Sequence, residues 1–130
     1  DATGSLERGD DLLAHCSPDF WLYSGEDAIA AELILRGYRG VISVTANVAP
    51  KAMSAMCEAA LAGNRELALR LDAPLQTLHR DLFVEANPIP VKWALTALEM
   101  IAPGIRLPLT PLSDTYHDTL RAALREASLL

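Results

Sequence analysis

The sequence predicts an α/β fold in which two strand–helix units pair in parallel and are followed by a helical half without further strands. Three observations carry the prediction. Two short apolar runs, residues 20–23 and residues 41–45, each lead into a helical pattern. Parallel strands covered on both faces are apolar nearly throughout, as these are. From Asn64 onward apolar residues recur at spacings of three and four, which marks amphipathic helices. Two strands alone would leave apolar, unpaired edges open to solvent, so the sheet is expected to continue into strands that precede residue 1. The chain divides on this reading into residues 1–63, an incomplete set of βα units, and residues 64–130, a helical domain.

The elements follow in order. Ser5 can cap a first helix running to about Cys16, with Leu6, Leu12 and Leu13 near one face and Gly9 weakening it. Ser17-Pro18-Asp19 breaks that pattern, and the aromatic run at residues 20–23 follows as a strand. The loop Ser24-Gly25-Glu26-Asp27 leads into a helix over residues 28–36 that Gly37 ends. Val41-Ile42-Ser43-Val44-Thr45 is β-branched and reads as the second strand, residues 46–49 as its loop, and Pro50 as the first turn of the next helix. Asn64 is placed to cap one long helix over residues 65–83, with Leu67, Leu71, Leu75, Leu78 and Leu82 in a stripe. The joint Asn87-Pro88-Ile89-Pro90 introduces a helix over residues 91–101. Residues 107–111 are expected to be extended, and Ser113 to cap a last helix over residues 114–127.

Composition narrows the classes of function. With 51% hydrophobic and 22% charged residues, 130 residues suffice for a buried core. The net charge of -6 gives no general attraction to nucleic acid or to an anionic membrane. No apolar run approaches the roughly 18 residues of a membrane helix, and residues 1–11 are acidic and polar, unlike a signal peptide. A cytoplasmic protein is expected. Cys16 and Cys57 are too few and too distant for a disulfide framework or a zinc site. His15, His79 and His117 each lie in a helical pattern without a second ligand at short spacing, so no metal site is expected.

Five segments carry a resemblance. Asp1-Ala2-Thr3-Gly4, Tyr23-Ser24-Gly25-Glu26-Asp27, the run from Gly40 to Pro50, the run Leu82-Phe83-Val84-Glu85-Ala86-Asn87-Pro88-Ile89-Pro90-Val91-Lys92-Trp93, and Leu107-Pro108-Leu109-Thr110-Pro111-Leu112 resemble the dihydrodipicolinate synthase family, in family order over essentially the whole chain. The resemblance implies the C-terminal part of a (β/α)8 TIM barrel, with its seventh and eighth strands at residues 20–23 and 41–45, followed by a C-terminal helical extension. It implies a Schiff-base lyase of lysine (diaminopimelate) biosynthesis that condenses pyruvate with aspartate semialdehyde to 4-hydroxy-tetrahydrodipicolinate, without a cofactor, as a homodimer or homotetramer. The alternatives are a related sugar-acid aldolase such as N-acetylneuraminate lyase, or a non-catalytic piece.

In such barrels chemistry sits at the C-terminal ends of the strands, here the loops after Tyr23 and Val44. The family's imine-forming lysine falls immediately before Asp1, so no catalytic residue is assigned within the chain, which alone is expected to be inactive. Ile42 matches the position whose backbone carbonyl faces pyruvate, although its side chain also suits a core. Gly25 permits close approach of a substrate, or serves an ordinary strand-end turn. Glu26, where the family usually has aspartate, is a candidate for substrate contact, or with Asp27 simply favours a helix N-terminus. Ser43, Thr45 and Asn47 put polar groups at the mouth of the second strand, where they could order water or substrate, but are expected rather to satisfy local backbone groups. Lys51 and Lys92 read as solvated or paired charges. Arg36 stands where family members commonly carry an apolar residue at a subunit contact, so an unpaired buried charge and a weaker tetramer or plain dimer are expected.

Overall fold

The computed structural model describes all 130 residues, Asp1–Leu130. Helices dominate it, and the sheet is reduced to one parallel bridge, Ser24 with Val41. Two compact units are present. The first comprises residues 1–43 and 51–73, the second residues 44–50 and 74–130.

In the first unit, α1 (Leu6–His15) starts where Ser5 Oγ accepts from the Arg8 amide at 3.1 Å, the cap expected from the sequence. Gly9 does more than weaken this helix. It is buried, and a Cβ there would lie 2.4 Å from Leu33 Cδ2, so its missing side chain lets α1 approach α2 (Ala30–Arg36). The segment 28–36 begins as a 3-10 turn, Asp27–Ile29, and Gly37 ends α2 at φ +131°. α3 (Pro50–Leu61) starts at Pro50 as expected, and Asn64 Oδ1 accepts from the Leu67 amide at 3.1 Å to open α4 (Arg65–Asp72). Leu22, Leu33, Ile34, Tyr38, Ala59, Ala60 and Ala68 form the core of this unit, with Leu6, Leu12, Leu13 and Leu71 packed against it. Arg36 is not unpaired: its guanidinium meets Asp10 of α1, and that bond raises its pKa further. The premise for a weakened subunit contact is thereby removed.

The strand segments are shorter than expected. Arg39 N donates to Leu22 O (2.8 Å), Ser24 N to Gly40 O (2.9 Å) and Ile42 N to Ser24 O (2.7 Å), which is the alternation of a parallel pair. Phe20 is outside it, because its amide closes the preceding turn on Ser17 O at 2.8 Å. The second segment ends early as well, since Thr45–Asn47 is a 3-10 turn rather than strand. Asp1 N donates to Tyr23 O (2.9 Å) and Gly25 N to Asp1 O (2.7 Å), so a third segment lies parallel on the other side, with Asp1 level with Ser24.

The second unit is helical. α5 (Gln76–Asp81) packs on α7 (His117–Glu126), and α6 (Ile89–Ala97) packs on α7 as well. Leu78, Leu82, Leu120 and Leu124 are fully buried, each contributing on the order of 2 kcal/mol. Four expectations fail here. The helix over residues 65–83 breaks into α4, a 3-10 turn at Ala73–Leu75 and α5, because Pro74 lacks an amide proton and clashes with the preceding turn. α6 starts two residues before the expected Val91 and stops at Ala97, with Glu99 at φ +57°. Ser113 makes no side-chain cap; a 3-10 turn, Asp114–Tyr116, precedes α7, and residues 107–108 turn rather than extend, with Leu109 N donating to Arg106 O at 3.1 Å.

Candidate active site

Strand alternation decides which residues share a face. Leu22 and Ser24 are buried at 7% and 0% exposure, pointing toward the helices of their unit. Trp21 and Tyr23 point the other way and are exposed at 65% and 37%. Ile42, 74% exposed, belongs to that open face, as does Gly40, whose Cβ would meet the Tyr23 ring at 3.3 Å. Register then places Ala2, Gly25 and Ile42 level on three adjacent segments. Two of the residues singled out from the sequence, Gly25 and Ile42, therefore stand side by side at the strand ends.

Gly25 has no room for a side chain: a Cβ would lie 2.9 Å from Ala2 Cβ and 3.3 Å from Asp1 O. The close approach is thus to the neighbouring segment. The Ile42 amide is used in the ladder, and its carbonyl accepts no hydrogen bond from the chain. Glu26 sits just beyond this face at the start of the Asp27–Ile29 turn, without capping it by its side chain. Its carboxylate lies over Gly4, where a Cβ would be 3.9 Å from Oε2. Asp27 is buried at 2% exposure.

Ser24 was not singled out, yet it orders the loop. Its Oγ donates to Glu26 O at 2.9 Å and accepts from Glu26 N at 3.1 Å, which sets the backbone from which the Glu26 side chain leaves. A polar residue inside an apolar run just before glycine is the only sequence hint. Tyr38 Oη donates to Asp1 Oδ2 at 2.9 Å, and burial pushes its phenol above the ordinary value. Asp1 is therefore anchored by backbone on one side and by its carboxylate on the other.

Other nucleophiles lie elsewhere. Lys51 is exposed in the first turn of α3, and Lys92 is half-buried on α6. Burial first, and then the charges of Asp27 and Asp72, push the Cys57 thiol up, the opposite of activation. A groove of about 140 Å³ in the helical unit is lined by Lys92, Trp93, Thr96 and Leu112 among others, and contains none of the residues singled out for chemistry. Trp93 stacks on His117 with centroids 4.8 Å apart, under the Arg121 guanidinium at 5.4 Å, and so serves as a packing anchor.

A model of the dihydrodipicolinate synthetase family matches residues 1–127. The chain belongs to that family. It is 58% identical over 130 residues to the 4-hydroxy-tetrahydrodipicolinate synthase of Alcanivorax borkumensis, covering 100% of this chain and 44% of that protein. Its fold superposes with a TM-score of 0.97 and 49% identity on the chloride-inhibited dihydrodipicolinate synthase of Acinetobacter baumannii, solved with pyruvate, covering 100% of this chain and 45% of that one. A monomeric dihydrodipicolinate synthase variant matches at a TM-score of 0.91 and 39% identity, over 100% of this chain and 44% of that one. The family member described here thus spans less than half the length of these relatives. No helix in it is long and apolar enough to cross a membrane.

Proposed function

We propose that this chain supplies the last two βα units (residues 1–63) and the C-terminal helical domain (residues 64–130) of a cytoplasmic (β/α)8-barrel lyase, 4-hydroxy-tetrahydrodipicolinate synthase. The reaction joins pyruvate to aspartate semialdehyde through an imine, in the pathway to diaminopimelate and lysine. The observation that carries the reading is the level alignment of Ala2, Gly25 and Ile42 on one open face of three parallel segments.

Alternation along the first segment places the Asp1 side chain on the buried face, where it meets Tyr38. A residue joined to the Asp1 nitrogen therefore projects onto the open face, beside Tyr23 and one level below Gly25 and Ile42. A lysine there directs its amine toward them. Its attack on the ketone expels water and leaves an imine, whose nitrogen withdraws electrons and makes the methyl protons removable; the enamine carbon then attacks the aldehyde. The Ile42 carbonyl, free of the ladder, is positioned as an acceptor toward the bound pyruvate. Gly25 keeps the adjacent rim open, and Glu26 contacts substrate from the loop above. Assembly as a homodimer or homotetramer fits the family, and Arg36, being paired, does not oppose it.

Pyruvate with borohydride tests this. The 130-residue chain alone should trap nothing, because Lys51 stands in the first turn of α3 and Lys92 on α6, neither of them on the open face of the parallel segments. Joined behind the lysine-bearing barrel half of a relative, it should support one lactyl-sized adduct, located by mass spectrometry on the lysine preceding Asp1. An adduct on Lys51 or Lys92, or none in the joined protein, refutes the reading.

A further inference from the structure

We propose that the Glu26 carboxylate takes the ammonium group of the aldehyde substrate, and that Ser24 is the positioning residue that holds Glu26 for it. The inference rests on the synthase reading, and names which part of which substrate the loop Ser24-Gly25-Glu26-Asp27 recognises. Aspartate semialdehyde carries an ammonium group beside its carboxylate, and pyruvate carries none. A carboxylate at the rim of the open face therefore tells the two substrates apart by charge.

Of Asp1, Glu26 and Asp27, only Glu26 offers such a group. Asp1 accepts from Tyr38 Oη at 2.9 Å and from the Thr3 amide and hydroxyl at 3.0 and 2.8 Å. Asp27 is buried at 2% exposure in the turn that it opens. Glu26 is half-buried, and its carboxylate makes no hydrogen bond or ion pair with the chain. Its Oε2 lies 3.9 Å from where a Gly4 Cβ would stand, so the side chain reaches from its own loop over the one that follows Asp1.

A side chain is placed only as well as the backbone it leaves from. Ser24 is fixed on one side, its amide donating to Gly40 O at 2.9 Å and its carbonyl accepting from Ile42 N at 2.7 Å. Gly25 is fixed on the other, its amide donating to Asp1 O at 2.7 Å. From that frame the Ser24 hydroxyl donates to Glu26 O at 2.9 Å and accepts from Glu26 N at 3.1 Å, so one oxygen bonds both backbone polar groups of Glu26. Ser24 is fully buried and Glu26 is not. Losing the hydroxyl therefore hands the Glu26 peptide groups to water and loosens the loop while the ladder stays.

The test uses the full-length protein that carries this chain. Glu26→Gln removes the charge, Glu26→Asp keeps it, and Ser24→Ala deletes the hydroxyl. Glu26→Gln should raise KM for aspartate semialdehyde roughly tenfold, with KM for pyruvate and borohydride trapping of the pyruvate imine within about twofold of the parent. Glu26→Asp should stay within about threefold on both substrates. Ser24→Ala should raise KM for the aldehyde roughly threefold, and should add little in the Glu26→Gln background, because it acts through that carboxylate. A parental KM for aspartate semialdehyde in Glu26→Gln, or an equal loss on pyruvate, overturns the substrate contact. An undiminished Ser24→Ala effect in the Glu26→Gln background overturns the positioning role. A parent that forms no imine with pyruvate sinks the enzymatic reading and this inference with it, whereas in a parent that forms the imine Glu26→Gln decides the inference alone.

Discussion

Glycine at position 25 is required by space rather than by torsion, since its φ is not positive and its absent Cβ is what admits Ala2 at 2.9 Å and the Asp1 carbonyl at 3.3 Å. Gly25→Ala should therefore destabilise the protein by about 1–3 kcal/mol in urea unfolding, as overpacking against a fixed backbone does, and Ala2→Gly in the same molecule should recover part of that loss. Gly63 makes the contrast: nothing lies within 4 Å of its missing Cβ, but φ is +72°, so Gly63→Ala should cost about 1 kcal/mol whatever surrounds it. Equal recovery of both variants by Ala2→Gly would show that the contact argument is wrong. At this scale the sequence singled out Gly25 and Ile42 because a motif carried them, and the ladder sets the two level. Tyr38 and His79 stayed hidden because each bonds a partner far away in sequence, Asp1 and Thr45, and such pairing leaves no local pattern; Ser24 acts locally, on the Glu26 backbone, and reads in the sequence as an ordinary loop residue.

Helix starts were legible where chemistry is local. Ser5, Asn64 and Pro50 each open a helix as expected, since a side-chain oxygen or a missing amide proton acts within one turn. The leucine stripe over residues 65–83 concealed a break, because its period of three and four runs on through Pro74 and so gives no sign of the turn there. Strand length was overestimated for a different reason: β-branched residues at 44 and 45 favour extension, but the Thr45 hydroxyl has a buried partner that a 3-10 turn satisfies. Gly9 was misread as a weak point of α1. Replacing it with alanine gains about 1 kcal/mol of helix propensity, yet the added Cβ falls 2.4 Å from Leu33 Cδ2, and Leu33, 1% exposed, has nowhere to swing. Gly9→Ala should thus lower stability by about 1 kcal/mol net, and should cost less in a Leu33→Ala background. A more stable Gly9→Ala protein would mean that α1 shifts away freely.

For the whole molecule, the open face of the parallel segments is the feature that demands an explanation. Trp21, Tyr23 and Ile42 turn aromatic and aliphatic surface outward at 65%, 37% and 74% exposure, on segments whose opposite face is packed against helices. An apolar surface of that kind marks a place where more protein belongs, and in a closed barrel the side chains of that face fill the interior in layers. Trp21 reports on this directly, because the only other tryptophan, Trp93, lies on α6 against His117 and can be removed as Trp93→Phe. In that background the emission of Trp21 should be that of a solvated indole in the 130-residue chain. Adding the N-terminal barrel half of a relative, as a separate polypeptide or joined ahead of Asp1, should shift the emission to the blue and protect Trp21 from iodide quenching. Association detected by light scattering with Trp21 still red-emitting and quenchable would show that the open face does not become a barrel interior. The lysine proposed to precede Asp1 would then have no enclosed, desolvated space in which to react.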